Sequence, residues 1–482
     1  MVEEKQMKVQ NWCAKPHAPL RHPERYYEPY ICRLSPADCS FTLEWLDNGS
    51  DGAHTLYYRL RGSEDEWAAM PLTAKTATVT GLQNLVDYEF YIESDDKSGK
   101  SRTRLVNPCD APGVVINYIH PEDSYFDFAG NFLGTPNIFI LPSGNYIATH
   151  DVFGKSEYGF AFVFISRDKG ATWEYQCELH PFRECKPFVY NGRFYMIGGL
   201  GKDVGITESL DEGKTWSKPV NIFRTDSYFN GIHRSMVQLS ETPVIEHNGR
   251  IVFSFEIGGW AIIGPQGFES SMMSAPADSD LLDADNWEYV PLTTAPQDKI
   301  LNKLDKIKCD YVFEIEGNPI SGPDGELYNL IRINHMIAED ICNSDYSVPY
   351  NMASLYRFKS FDEPLEFVQT VDIPVGLRKM FFTMRDKVTG LYFTLGNESY
   401  DGDPKRRCIY TLSVSSDLRN WRKLKELVNC SDRPGYCVSQ PAFAIDGEDL
   451  CYLSRTAWGK VKDQHDNNMM TFHVEKNFRN LL

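Results

Sequence analysis

Apolar and polar residues alternate in short runs through the first part of the chain: FTLEWL at 41–46, TLYYRL at 55–60, ATVTGL at 77–82 and YEFYIES at 88–94. A period of two sends every other side chain to one face, which is the mark of half-buried strands. From Asn107 onward the texture changes to repeated strand-and-turn units. The pattern therefore predicts an all-β protein in two units, 1–106 and 107–482. Composition agrees, since 13% aromatic residues with 34 Gly and 27 Pro suit short strands joined by tight turns better than long helices. The length of 482 residues also exceeds the ~100–200 of one ordinary domain.

The second unit contains internal repeats. SRDKGATW at 166–173 and SLDEGKTW at 209–216 both read Ser-x-Asp-x-Gly-x-Thr-Trp. In such a run Asp accepts hydrogen bonds from the backbone of a hairpin bend, Gly takes the positive φ, and Trp packs between sheets. SSDLRNW at 415–421 is a shortened relative, and SDLLDADNW at 279–287 and SFDEPLEF at 360–367 read as eroded copies. Repeats spaced in this way predict the four-stranded blades of a β-propeller, with seven blades favoured and six next.

These repeats resemble the Asp boxes of sialidase-like propellers, where the resemblance places them on structural turns away from the catalytic face. The first unit resembles a fibronectin type III β-sandwich. Trp45 on an early strand, Tyr57 or Tyr58 on the next, and Leu82-x-x-Leu85-x-x-Tyr88 before a late strand carry that likeness. It implies a hydroxyl-to-backbone hydrogen bond from Tyr88 at its own corner and no site in this unit.

A sialidase needs an arginine near the start of its propeller, and here Thr135 precedes Pro136 in GTPNIFILPSGNYIATHDVFG at 134–154. That segment instead resembles the first blade of bacterial rhamnosyl-glucuronate hydrolases and related uronate (ulvan-type) lyases, through Thr135, Pro136, Leu141, Gly144, Tyr146, His150 and Asp151. Segments 230–256, 313–334, 381–397 and 438–479 follow the group's pattern in the same order. The resemblance implies an exo-acting glycoside hydrolase on an α-linked, rhamnose-like sugar next to a uronic acid, with His150 as the catalytic residue.

Chemistry at the residues adds candidates. An imidazole exchanges protons at neutral pH, which favours His150, with Asp151 beside it, and then His233. Tyr228, His233 and a nearby arginine are also the equipment of a uronate lyase, in which the base removes the C5 proton and a Tyr or His protonates the leaving oxygen. Arg250, Arg332, Arg385 and Arg455 fall in the matched segments, and a planar guanidinium suits bidentate recognition of a sugar carboxylate. Glu256, Glu314 and Glu316 join Asp151 as carboxylates for an acid/base pair. Each has a plain structural alternative: a core histidine, a salt bridge, or an aromatic in the core for Trp260 and Trp458.

A net charge of −18 excludes a nucleic-acid partner, whose phosphates call for clustered Lys and Arg. No apolar run of membrane length occurs. The start of the chain lacks an apolar leader, so a cytoplasmic location is expected if residue 1 is the natural start, and a secreted or periplasmic one if a signal peptide was trimmed. The 12 cysteines show no zinc-site spacing and read as reduced thiols. No cofactor is expected, and a structural calcium stays open. A non-catalytic carbohydrate-binding propeller is the alternative from another class.

Overall fold

The computed structural model describes the chain apart from residues 1–28, 47–51, 124–131, 154–160, 226–227, 230–231, 234–235, 260–263, 308, 337–349 and 401–405. For residues 153, 228, 229, 232, 233, 236 and 336 it describes the backbone alone. The structure is all-β: an N-terminal sandwich followed by a propeller.

In the sandwich, strands Tyr30–Ala37, Ser40–Leu46 and Thr76–Thr80 form one sheet. Ala68–Leu72, His54–Leu60, Tyr88–Ser94 and Arg104–Val106 form the other. The alternating runs fold as their pattern requires, with Phe41, Leu43, Trp45, Leu56, Val79, Phe90 and Ile92 turned inward between the sheets. The Tyr88 hydroxyl accepts the Gln83 amide at 3.0 Å and so pins the corner before its strand.

Six antiparallel sheets of four or five strands follow among the described residues, each packed against the next and the sixth against the first. Their first, innermost strands begin at 132, 182, 236, 311, 381 and 437. In the third sheet that strand is split into Met236–Gln238 and Val244–His247, both paired with Arg250–Gly258. The sixth sheet takes three strands from the end of the chain, and its outermost strand, Val114–Tyr118, comes from the segment that follows the sandwich. This strand also anchors the sandwich: Arg33 donates to Ile116 O at 2.7 Å, Ser35 to Val115 O at 2.8 Å, and Asn117 Oδ1 accepts the Leu34 amide at 3.2 Å.

The repeats sit at one place in the fold. All five lie between the third and fourth strands of the first five sheets. In the first, Asp168 accepts from the Thr172 amide at 2.8 Å and hydroxyl at 2.6 Å, Gly170 has φ 88°, and Trp173 packs on Phe472. Asp211 accepts from Thr215 in the same two ways, and Gly213 has φ 86°. The shortened copy keeps the logic with other residues: Asn420 replaces Thr, and Leu418 takes φ 64° in place of Gly. Among the described residues no helix is long and apolar enough to cross a membrane.

Candidate functional site

The antiparallel register places the start of each first strand beside the end of the second, as Phe132 is beside Phe153. The third strand then runs back to the far end, where the Asp boxes lie. One rim of the ring is thus built from first-strand starts and second-strand ends, opposite the structural turns.

At this rim the innermost strands carry a recurrent irregularity. The pairing of first and second strands slips at Thr149/Asp151, Arg183/Lys186, Ile315/Asn318 and Ser439/Ala442. At the same height Thr135, Glu184, Ser240, Glu316 and Gln440 adopt positive φ of 43–65°. Bulges re-aim side chains, and a non-glycine residue at such φ stores strain that surrounding structure must hold. Two of these residues grip a second-strand side chain of their own sheet: Glu316 accepts from Arg332, and Gln440 accepts from Arg455.

The result is a cluster of buried charge. Arg332 also donates to Asn334 Oδ1 at 2.9 Å, and Arg455 to Asn467 Oδ1 at 2.9 Å and to the His465 carbonyl. Arg407, just before the third strand of the fifth sheet, donates to Arg378 O at 3.2 Å. Burial and the like charges of Arg332 and Arg455 pull it down to about 10. Three guanidiniums therefore share one region, with the Glu316, Glu241 and Asp151 carboxyls acting on them. Glu184 accepts from Arg183 at 2.5 Å and from the Leu239 amide at 2.7 Å.

Behind this layer lie Lys186, Glu241 and Glu256, which are 1%, 0% and 0% exposed. The Lys186 ammonium donates to Thr242 O at 2.7 Å and Oγ1 at 2.6 Å. Burial lowers it to about 7, against the opposing pull of Glu256, Glu241, Glu184 and Glu316. Burial raises the Glu256 carboxyl to about 8 even though it accepts the Gly317 amide at 3.0 Å. Glu241 is pushed well up by burial and by Glu316, and neither of its oxygens has a hydrogen-bond partner among the described residues.

Asp151 belongs to the outer layer. Burial raises its carboxyl to about 6, with Glu184 adding to the rise and Arg183, Arg455 and the Thr135 hydroxyl opposing it. A carboxyl that titrates close to neutrality beside guanidiniums is the kind of group that exchanges protons with a ligand.

No family model matches the chain, and no curated protein does. Among solved structures a Hadza microbial sialidase is similar over 93% of this chain and 94% of its own, at 12% identity and a TM-score of 0.47. A Trypanosoma rangeli sialidase is similar over 79% of this chain at 14% identity and a TM-score of 0.49. The matched chain covers 56% of that protein's length. A protein of unknown function from Dyadobacter fermentans is similar over 73% of this chain and 96% of its own, at 11% identity and a TM-score of 0.48. At such identities the site has to be judged on its own residues.

Of the residues singled out in the sequence, Asp151, Glu256, Glu316, Arg332 and Arg455 come together. His150 does not join them. Neighbours on a strand face opposite ways, so while Asp151 meets the charged cluster, the His150 ring stacks on Phe162 and Phe164 with centroids 5.2 and 5.5 Å away. The Asn117 amide nitrogen can only donate, and does so to Nε2 at 2.9 Å; Nδ1 faces the Asp151 carbonyl at 3.1 Å. The ring is thus a neutral tautomer with its proton on Nδ1, and burial holds it down at about 4. Arg250 lies on the opposite side of its sheet's length, donating to Ser274 at 2.8 Å and to Glu288, and lines a surface cavity of about 220 Å³. Arg385 is exposed and donates to Gly390 O at 3.2 Å in its own turn. Tyr228 and His233 are cross-strand backbone partners in a two-strand hairpin, and their side chains lie outside the described residues. Glu314 turns away to accept the Tyr356 hydroxyl at 2.5 Å, and Trp458 packs on Tyr436 in the core shared with the sandwich. Trp260 lies outside the described residues.

Sequence reasoning missed Glu184, Lys186, Glu241 and Arg407. Among the described residues no group of His, Cys, Asp and Glu is placed to hold a metal ion.

Proposed function

We propose that the chain is a glycoside hydrolase acting on a glycan that bears a carboxylate, at the rim opposite the Asp boxes. The observation that carries this reading is the convergence of Arg332, Arg407 and Arg455, the last of which acts on the Asp151 carboxyl. The three guanidiniums repel one another, and their planar forks match a carboxylate in two-point fashion. Asp151 serves as the general acid that protonates the leaving oxygen, and Glu184, whose charge it feels, supplies the second carboxylate such a reaction needs. Lys186, Glu241 and Glu256 set the field behind them. A sugar linked to a uronic acid satisfies this charge pattern.

Asp151→Asn keeps the shape and removes the proton. Release of reducing sugar from carboxylated oligosaccharides is expected to fall at least 100-fold with the fold intact, and undiminished release would refute the assignment. A second reading, β-elimination, is favoured by the backbone pairing of Tyr228 with His233. It leaves an ultraviolet-absorbing unsaturated uronate, so the same digest read at both signals separates the two reactions.

The sandwich is best read as fibronectin type III-like, with 1–106 and 107–482 as the two domains. Support comes from the strand order of its two sheets and the Tyr88 corner bond.

A further inference from the structure

We propose that His465 is a substrate-contacting residue of the site, its imidazole hydrogen-bonding a ring hydroxyl of the sugar whose carboxylate Arg407 and Arg455 hold. The inference rests on the reading that this rim binds a carboxylated glycan. It narrows the ligand to a sugar acid recognised by its carboxylate and a neighbouring hydroxyl together.

Residues 458–468 join the second and third strands of the sixth sheet, Asp449–Ala457 and Met469–Glu475, and so lie at the rim that carries the cluster. The segment is fastened from several sides. Asp463 Oδ1 accepts the His465 and Asp466 amides at 2.7 and 2.8 Å, which closes a local turn. Gln464 Oε1 accepts the Arg407 amide at 3.3 Å, and Gln464 O accepts the Cys437 thiol at 2.8 Å. Arg455 donates Nε to Asn467 Oδ1 at 2.9 Å and Nη2 to the His465 carbonyl. Two of the arginines of the anion site thus fix where residue 465 stands.

On that fixed frame the imidazole faces outward, with 56% of the side chain exposed. A rigidly held loop that presents an exposed titratable ring beside a binding site is a common way to place a functional group. His465 Nδ1 lies 3.0 Å from Asp466 Oδ1, and a carboxylate only accepts, so Nδ1 carries the proton and the Nε2 edge presents a lone pair. Partial desolvation, then the charges of Arg455 and Arg407, lower the ring to about 4 against the pull of Asp466, so the neutral form prevails at neutral pH. The arginines donate and the imidazole accepts. A lone pair beside a bound carboxylate repels it, whereas a hydroxyl on the adjoining ring carbon supplies the donor that the lone pair matches.

Isothermal titration of the full chain with D-glucuronate and with cyclohexanecarboxylate tests this, since the second has the charge and a six-membered ring but no hydroxyl. The wild type is expected to bind glucuronate about 10-fold tighter or more. His465→Ala keeps the backbone carbonyl that Arg455 uses, so Tm should be unchanged, and it should lose most of that preference by weakening glucuronate alone. His465→Gln, whose amide oxygen can accept in place of Nε2, should recover part of it. The proposal is overturned if the wild type shows no preference for glucuronate, if His465→Ala keeps it, or if His465→Ala weakens both ligands equally. A preference that depends on His465, with no cleavage of any carboxylated glycan, would instead count against the hydrolase reading alone.

Discussion

Arg332 and Glu316 form a buried ion pair across the first two strands of the fourth sheet, with the glutamate held in a left-handed bulge. Removing one partner of such a pair leaves a charge without compensation in a poorly solvated place. Arg332→Ala is expected to destabilise the protein by about 3–5 kcal/mol. The double variant Arg332→Met/Glu316→Gln should recover much of that loss, read by denaturant unfolding.

The proton on Asp151 gives the reaction a pH signature. Its carboxyl lies near 6 in the folded protein. As the general acid it is competent below that value and deprotonates above it, so kcat/KM is expected to fall as pH rises through about 6. Arg455→Gln removes a cation that holds this value down, and should move the limb to higher pH. A profile flat from pH 5 to 8 would rule Asp151 out as the acid.

Arg407 carries no carboxylate partner among its described contacts and is half-buried at the rim. Arg407→Ala relieves repulsion with Arg332 and Arg455, so thermal stability should be unchanged or slightly higher. Binding of a carboxylated sugar should weaken by about 2–3 kcal/mol, the worth of a charge-assisted contact. The expected signature is a raised KM with little change in Tm.

The turns opposite the site should answer to mutation through stability alone. An added methyl at Gly170 would lie 2.0 Å from the Phe472 ring at a φ of +88°, whereas at Gly192, with φ +73°, it would meet nothing within 4 Å. Gly192→Ala is expected to cost about 1 kcal/mol. Gly170→Ala should cost several times more while leaving kcat/KM of the folded fraction untouched.

A carboxyl between sandwich and ring makes stability depend on pH. Glu178 accepts the Tyr30 hydroxyl, and burial raises it from the ordinary 4.5 to about 8. The folded protein thus keeps a proton that the unfolded chain releases between those two values. The stability linked to it is complete below about 4.5 and is lost as pH rises past 8. Glu178→Gln should raise Tm at pH 9 relative to wild type and leave it little changed at pH 4.5, measured by scanning calorimetry.

What the sequence showed well was local. Each Asp box closes within eight residues, so Ser166, Asp168, Gly170 and Trp173 announce their turn without help from distant parts. Even the eroded copies fall at equivalent turns. The site was harder to see, because Glu184, Glu241, Arg332, Arg407 and Arg455 come from five different sheets and meet only when the ring forms. His150 looked reactive because it ends a strand beside an aspartate. The step from 150 to 151 reverses the face, and a periodic pattern does not reveal which face looks into the ring. The uneven starts of the innermost strands, from 132 to 437, likewise kept the number of sheets from being read off the repeat spacing.

The sixth sheet joins Val114–Tyr118 to Met469–Glu475, strands about 350 residues apart. At a synthesis rate of ~5–20 residues per second, the early strand emerges on the order of 20–70 s before its partner exists. Through that interval the nascent chain carries an open hydrogen-bonding edge that invites pairing with other chains. The sandwich, whose Arg33 and Ser35 already hold the same strand, is made first and can shelter it.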